Sequence, residues 1–421
     1  MVQLMYMLDI KYIRENTDKV KKSAADKGYQ VDIDKLLAAD DARKKVMGQI
    51  EKLRAERNDI AKQMKTADAM KKFGSELVDR GKAIKENLAH LELQLRENDL
   101  DGRLAKVPNI TLPDVPLGGE DDSVEIKAWG THKTQAMDHL DFATKRDWVD
   151  FERGVKVAGA KFYFLKGDLA LLENAIYQYA LQKIVGKGFN FMTVPHMVSG
   201  RIMTGTGFAP RSSKQSDEYA IDGEDLSLIA TAEIPLTGYH ADEIIDESDL
   251  PLMYAGYSPC YRKEAGTYGK FTRGLFRVHQ FNKLEMYIYC LPEESTKMHE
   301  QILATEEEIW QELNIPYHVV NIAAGDLGAP AAKKYDIEYW SPVDNKYREL
   351  TSCSNCTDYQ ARNLNIRVRR KSGNTEILHT LNGTVVSLAR TLVAVLENYQ
   401  AGEKLIVPEV LQPYMNGKKE I

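Results

Sequence analysis

The apolar positions of this chain fall into two regimes. Between about Asp34 and Lys106 proline is almost absent, and Val46, Ile50, Leu53, Ile60 and Met64 recur at three-four spacing, interrupted once by Arg57. Beyond Gly74 the stripe resumes with Leu77, Ile84, Leu88, Leu91 and Leu95. Two such stripes, parted by a turn-prone stretch near Thr66 to Gly74, predict an antiparallel helical hairpin. Helices of about 30 residues would each be about 45 Å long. Residues 107 to 125, VPNITLPDVPLGGEDDSVE, break the pattern, and their three prolines, paired glycines and acidic cluster predict a linker. From Trp129 onward short β-prone runs alternate with helical ones, and periodicity alone gives α+β. The predicted organisation is a helical arm over residues 1–107, a linker over 108–125 and a larger α+β domain over 126–421.

Within the larger domain, Tyr254 to Tyr289 reads YAGYSPCYRKEAGTYGKFTRGLFRVHQFNKLEMYIY. Two apolar, β-prone runs flank a loop of Gly, Thr, Lys and Arg, the pattern of an antiparallel pair joined by a long loop. Arg262 and Glu264, two apart, are expected on one face of the first strand, and Glu285 lies in the returning one. A guanidinium beside one carboxylate and opposite another suits a ligand carrying phosphate and ammonium groups. A surface hairpin with ordinary cross-strand ion pairs would give the same pattern.

Composition narrows the class. A chain of 421 residues has room for two or three domains, and 43% hydrophobic with 28% charged residues is ordinary for a soluble protein. No apolar run reaches the ~18 residues of a membrane span. The start, MVQLMYMLDIKYIREN, lacks the basic region and small-residue cleavage site of a secretory signal. Four cysteines, with Cys353 and Cys356 three apart, suggest reduced thiols in a cytoplasmic protein. Cys260 and Cys290 could complete four thiolates, but one CxxC pair without a second CxxC or HxxxH is a poor zinc site. The net charge of −6 argues against a nucleic-acid partner until its distribution is considered. Residues 41–106 hold 16 basic and 12 acidic side chains, so the arm is the basic part. Its outer faces carry Lys44, Lys45, Lys52, Arg54, Lys62, Lys65, Lys71 and Lys72. Taken alone, such a run reads equally as a solvated face.

The wording YRKEAG, then TRGLFRVHQFNKLEM, resembles motif 2 of the class II aminoacyl-tRNA synthetases and is similar to that of the seryl-tRNA synthetase family. Other segments follow in the family's order. Asp168 to Val185 with GFNFMTVPHMV resembles motif 1, which implies a homodimer; LSLIATAEIPLTGYH resembles the family's TAE element. RELTSCSN resembles the segment that holds Mg²⁺, and LNGTVVSLARTLVAVLENYQ resembles motif 3. The likeness runs from Met7 to Met415, leaving Met1 to Tyr6 as an extension.

That resemblance implies a seven-stranded type of antiparallel sheet flanked by helices for 126–421, and a coiled-coil arm that reaches the long variable arm of its tRNA. It implies a serine–tRNA ligase that uses ATP and Mg²⁺ to make seryl-adenylate and passes the seryl group to tRNA(Ser), with tRNA(Sec) as a second candidate acceptor. The residues carried over as catalytic are Arg262, at the α-phosphate, and Arg390, at the γ-phosphate. Serine would meet Thr231, Ala232, Glu233, Arg262, Glu285 and Thr384, with Glu233 on the α-ammonium and Glu285 with Thr384 on the hydroxyl. ATP would meet Arg262, Lys263, Glu264, Val278, His279, Gln280, Phe281, Glu349, Leu350, Thr351, Ser352 and Arg390, Phe281 stacking on the base. Glu349 and Ser352 would hold Mg²⁺ on the triphosphate. tRNA would meet Lys44, Lys45, Lys52, Arg54, Lys62 and Lys65 on the arm, and Lys270 and Arg273 on the motif 2 loop from Ala265 to Gly274.

The chain departs from the family's common NGSGLAVGR at Thr384, Val385 and Ala389. Threonine keeps the hydroxyl, while Val385 and Ala389 are expected to fill space beside the nucleotide where glycine permits close approach. Two competing readings remain: an amino-acid activator that loads a carrier protein, which the tRNA-binding arm opposes, and a non-catalytic tRNA-binding protein on a decayed synthetase fold, which Arg262, Glu264, Glu285 and Arg390 oppose.

Overall fold

The computed structural model describes residues 9–65, 67–208, 218–264 and 273–421. The chain forms two compact units: Met1–Ala25 with Tyr29–Pro108, and Asp26–Gly28 with Asn109–Ile421.

In the first unit, helices α1 (Ile33–Gln63) and α2 (Ala67–Glu97) lie against each other. Asp32 caps α1 by accepting the Lys35 N–H at 2.9 Å. The seam consists of Ile50, Ile60, Ile84 and Leu88, with Val46, Leu53, Met64, Leu77, Leu91 and Leu95 packed around them. These are the residues of the two sequence stripes. Arg54–Glu92 at 3.0 Å and Arg80–Glu56 at 2.6 Å tie the helices across the seam. The turn is shorter than the expected Thr66–Gly74, because α2 already begins at Ala67. Ala67–Lys72 is rich in helix formers, and one interior glycine at 74 costs only about 1 kcal/mol against alanine.

The second unit is built on a sheet with strands β1 (Val124–Trp129), β2 (Asn190–Thr193), β3 (Leu252–Tyr261), β4 (Gln280–Cys290), β5 (Tyr317–Asn321), β6 (Lys333–Ser341), β7 (Lys346–Thr357) and β8 (His379–Ser387). Their spatial order is β1-β5-β6-β7-β8-β4-β3-β2, and only β2 pairs in parallel. Among the described residues the sheet thus has eight strands against the seven implied. The helices that matter below are α3 (His139–Lys145), α4 (Gly167–Gly186), α5 (Glu233–Gly238), α6 (Ser295–Glu312), α7 (Tyr359–Asn363) and α8 (Leu388–Asn398).

Both faces of the sheet are covered, which explains why β4 is apolar almost throughout. Leu284, Met286, Ile288 and Cys290 point into the main core with residues of α4, α6 and α8. Tyr287 and Tyr289 point into a smaller core with Ile234, Leu236 and Ala361, from α5 and α7. The period of two then carries the second face along β4 from Tyr289 and Tyr287 to Glu285, Lys283 and Phe281. A strand that is apolar at one end becomes ionic at the other on the same face. That transition places the site.

Candidate active site

The motif 2 pair is antiparallel, with register from Gln280 opposite Tyr261 to Tyr289 opposite Leu252. Beyond the regular strand, Arg262 donates its N–H to the His279 carbonyl at 3.0 Å, and His279 Nδ1 lies 2.9 Å from the Arg262 carbonyl. The ladder is thereby extended until Glu264, which has φ 48°. Arg262 and Glu264 both line one cavity, although they lie past the strand end and not on its pleat. The Arg262 guanidinium is 5.3 Å from the Phe281 ring centre. Arg277 reaches Glu264 Oε2 at 2.7 Å.

On the far wall stand Glu349 and Arg390. Arg390 Nη1 lies 3.0 Å from Glu349 Oε1. Burial alone would raise the Glu349 carboxyl, but Arg390, Lys334 and Arg262 outweigh it and hold it well below the ordinary carboxylate range. Its side chain is still 42% exposed, so an ionised carboxylate opens onto the cavity. Glu349 and Ser352, three apart, should face opposite ways on a regular strand. An irregularity in the β6–β7 pairing sends Leu350 into the core, and Glu349 and Ser352 both line the cavity. Thr351 lines it too, while its hydroxyl accepts from Trp310 Nε1 at 3.2 Å.

A third group lies deeper. Glu285 and Thr384 are paired across β4 and β8, with Thr384 Oγ1 3.4 Å from Glu285 Oε2. Both are buried, and Lys283 Nζ sits 2.5 Å from the same carboxylate. Glu233, the first residue of α5, is 7% exposed and accepts from Gln360 Nε2 at 2.8 Å and Asn382 Nδ2 at 2.9 Å. Desolvation, then the neighbouring Glu285, raises its carboxyl to about 7. Thr231 Oγ1 accepts the Glu233 N–H at 3.2 Å, and Ala232 is fully buried just before the helix.

Of the expected nucleotide residues, Arg262, Glu264, Val278, Phe281, Glu349, Leu350, Thr351, Ser352 and Arg390 border the cavity. Three others sit elsewhere. His279 packs on Phe162 at 5.5 Å and holds the Arg262 carbonyl, Lys263 lies over Tyr219 at 5.5 Å, and Gln280 begins β4 with its side chain exposed. Val385 corrects an expectation. An irregularity between Leu284 and Glu285 in the β4–β8 register leaves Val385 unpaired, and its side chain joins the main core; only Ala389 lines the cavity. Arg273 pairs with Asp141 at 2.6 Å, and Lys270 lies outside the described residues, as does Met1 to Tyr6. On the arm, Lys44 pairs with Asp40 at 2.7 Å, Arg54 with Glu92 and Lys62 with Asp59 at 3.7 Å. Lys45, Lys52 and Lys65 are exposed and, among the described residues, have no ion-pair partner.

Sequence reasoning missed Lys283, Phe276, Gln360 and Asn382. Lys283 was findable, standing two before Glu285 and hence on its face. Gln360 and Asn382 come from α7 and β8, and no local pattern links them to Glu233.

This fold and site, an antiparallel sheet with arginines facing carboxylates over its motif 2 hairpin, define a class II aminoacyl-tRNA synthetase core, and residues 217–399 match the tRNA synthetase class II core domain (G, H, P, S and T). Residues 7–111 match the Seryl-tRNA synthetase N-terminal domain. The chain is 45% identical over 419 residues to the serine–tRNA ligase of Dictyoglomus turgidum, covering 97% of this chain and 98% of that one. It is 46% identical to that of Dictyoglomus thermophilum, with the same coverage. Among solved structures, seryl-tRNA synthetase from Pyrococcus horikoshii complexed with ATP superposes with a TM-score of 0.86 at 40% identity, covering 98% of this chain and 99% of that one. The cytoplasmic serine–tRNA ligase from Naegleria fowleri in complex with AMP gives 0.83 at 33% identity, covering 98% of both chains. The chain belongs to the seryl-tRNA synthetase family.

Proposed function

We propose that this enzyme activates L-serine with ATP and transfers the seryl group to tRNA(Ser). The observation that carries the reading is the juxtaposition of two unlike sites on one face of β4 and β8. One is an open cavity lined by Arg262 and Arg390; the other is the buried Glu285–Thr384 pair, whose Thr384 borders that cavity.

In the first step a serine carboxylate oxygen attacks the α-phosphorus of ATP, and pyrophosphate leaves. The attacking carboxylate is already ionised, so no general base is needed. Arg262 faces the phosphate next to Phe281, which stacks on the adenine, and Arg390 takes the γ-phosphate. Held in place before the reaction, these charges stabilise the transition state without reorganising. In the second step a terminal ribose oxygen of tRNA attacks the seryl carbonyl, and AMP leaves. Glu233 would hold the α-ammonium and Glu285 with Thr384 the side-chain hydroxyl.

The ionised, half-buried Glu349 and the Ser352 hydroxyl, both lining the cavity, offer hard oxygens suited to Mg²⁺, a cation that keeps much of its water. When bound there, Mg²⁺ would neutralise triphosphate charge. The exposed face of α4, with Leu171 53% and Val185 49% exposed, together with β2 at the sheet edge, supports a homodimer through motif 1. No helix among the described residues is long and apolar enough to cross a membrane, and a cytoplasmic location is part of the proposal. The basic arm supports docking of tRNA(Ser), with tRNA(Sec) a second acceptor to be assayed.

The test is serine-dependent ATP–pyrophosphate exchange with alanine, threonine and glycine as controls, then charging of unfractionated tRNA. Exchange with serine alone and a charged serine tRNA are expected. Exchange without charging would favour a carrier-protein acceptor, and absence of exchange at saturating ATP would overturn the activity.

A further inference from the structure

His139 opens α3 outside the cavity, yet it is only 1% exposed. Its Nδ1 lies 3.1 Å from Glu397 Oε1, and its Nε2 accepts the Leu275 N–H at 3.3 Å. A ring nitrogen that accepts a backbone N–H carries no proton, so the imidazole is neutral and donates from Nδ1 to Glu397. Glu397, on α8, also accepts from the Tyr339 hydroxyl at 3.0 Å and the Ser341 hydroxyl at 2.6 Å. With three donors on that carboxylate, the pair is a hydrogen-bonded prop that orients the imidazole.

What the prop holds is the stretch 274–277, where the chain re-enters the sheet after the motif 2 loop. Gly274 has φ 64°, and a Cβ there would stand 2.4 Å from His139 Nε2, so the backbone can approach the ring only as glycine. Leu275 is bonded to the ring. The Phe276 ring lies under two guanidinium groups, Arg390 at 5.0 Å and Arg348 at 5.7 Å. Arg277 pairs with Glu264. Three consecutive residues therefore convey the position of His139 to the cavity wall.

We propose that His139 is a positioning residue for the nucleotide. By fixing Leu275 it sets the Phe276 ring on which Arg390 rests and the Arg277–Glu264 pair opposite, so its loss loosens ATP without touching the serine niche. The proposal rests on the assignment of Arg390 to ATP.

Three variants test it by exchange kinetics: His139→Gln, His139→Leu and Gly274→Ala. Glutamine can offer an oxygen to the Leu275 N–H, so its KM for ATP should stay near that of the parent. In His139→Leu the KM for ATP should rise on the order of 10- to 100-fold, as for a misplaced binding group, with the KM for serine unchanged. Should that variant fail to fold, Gly274→Ala decides, because its Cβ meets the His139 ring and forces Leu275 away from it while the imidazole and Glu397 are both retained; the same rise in KM for ATP is expected. An unchanged KM for ATP in the folded variants, a parallel rise for serine, or equal loss in the glutamine variant would overturn the role. A parent protein inactive in exchange would instead refute the activity itself.

Discussion

Thr384 Oγ1 stands 3.4 Å from Glu285 Oε2, across adjacent strands and with both side chains buried. Lys283 neutralises the carboxylate at 2.5 Å. A niche of this kind gains from a ligand hydroxyl and is left with unpaired polar atoms by a methyl group. Glu285→Ala should lose serine-dependent exchange. Since it also strips Lys283 of its partner, at a cost of roughly 3–5 kcal/mol, Glu285→Gln is the companion variant. It keeps an oxygen for the Lys283 ammonium but not the charge, so it should melt above Glu285→Ala though below the parent, and still fail to activate serine. Thr384→Val should lower the preference for serine over alanine by about tenfold, the worth of one hydrogen bond. Undiminished exchange in both Glu285 variants would refute the niche.

Glu233 yields a pH prediction with two opposite signs. Desolvation, and next Glu285, lift its folded carboxyl to about 7, against an ordinary value of 4.5. Between those values the folded state keeps a proton that the unfolded state has released, so rising pH costs stability across that window. Binding runs the other way, because an ammonium needs the carboxylate. The KM for serine should therefore rise as pH falls through about 7, while the KM for ATP moves less. Glu233→Gln should gain in melting temperature relative to the parent at pH 8 more than at pH 4, and should bind serine poorly at both.

Val385 and Ala389 depart from the family's glycines in the same motif but meet different surroundings. Val385 is fully buried in the main core, whereas Ala389 borders the cavity. Val385→Gly should cost stability by opening a void, of the order of 1–3 kcal/mol, and should leave the KM for ATP unchanged. Ala389→Val should do the reverse, raising the KM for ATP with little change in melting temperature. A drop in the KM for ATP in Val385→Gly would show that the side chain reaches the nucleotide after all.

The contrast between these two positions also marks what was legible in the sequence. The hairpin seam could be read from Ile50, Ile60, Ile84 and Leu88 because helical period alone selects those residues. Arg262, Glu285 and Arg390 could be named because their motifs are local strings. Register irregularities were not visible. One between Leu284 and Glu285 turned Val385 into the core, and one in the β6–β7 pairing brought Glu349 and Ser352 to one cavity. Nor could a string reveal Gln360 and Asn382 converging on Glu233, or His139 holding Leu275 136 positions away. Such pairings come from tertiary packing, for which the spacing of residue types along one strand or helix carries no signal.

The arm offers a prediction that separates electrostatics from fold. Lys44, Arg54 and Lys62 already have acidic partners, whereas Lys45, Lys52 and Lys65 are exposed without one among the described residues. A phosphate backbone should therefore gain most from the second set, since a paired cation must first give up its carboxylate. Replacing Lys45, Lys52 and Lys65 by alanine leaves the seam untouched, so the melting temperature and the exchange reaction should be those of the parent. Charging should require more tRNA, and the dependence of log KM for tRNA on log salt should become shallower by about 0.7–0.9 for each phosphate that is no longer neutralised. The same triple change with an unaltered salt slope would place tRNA elsewhere, and loss of exchange along with charging would mean that the arm affects the catalytic unit instead of the tRNA.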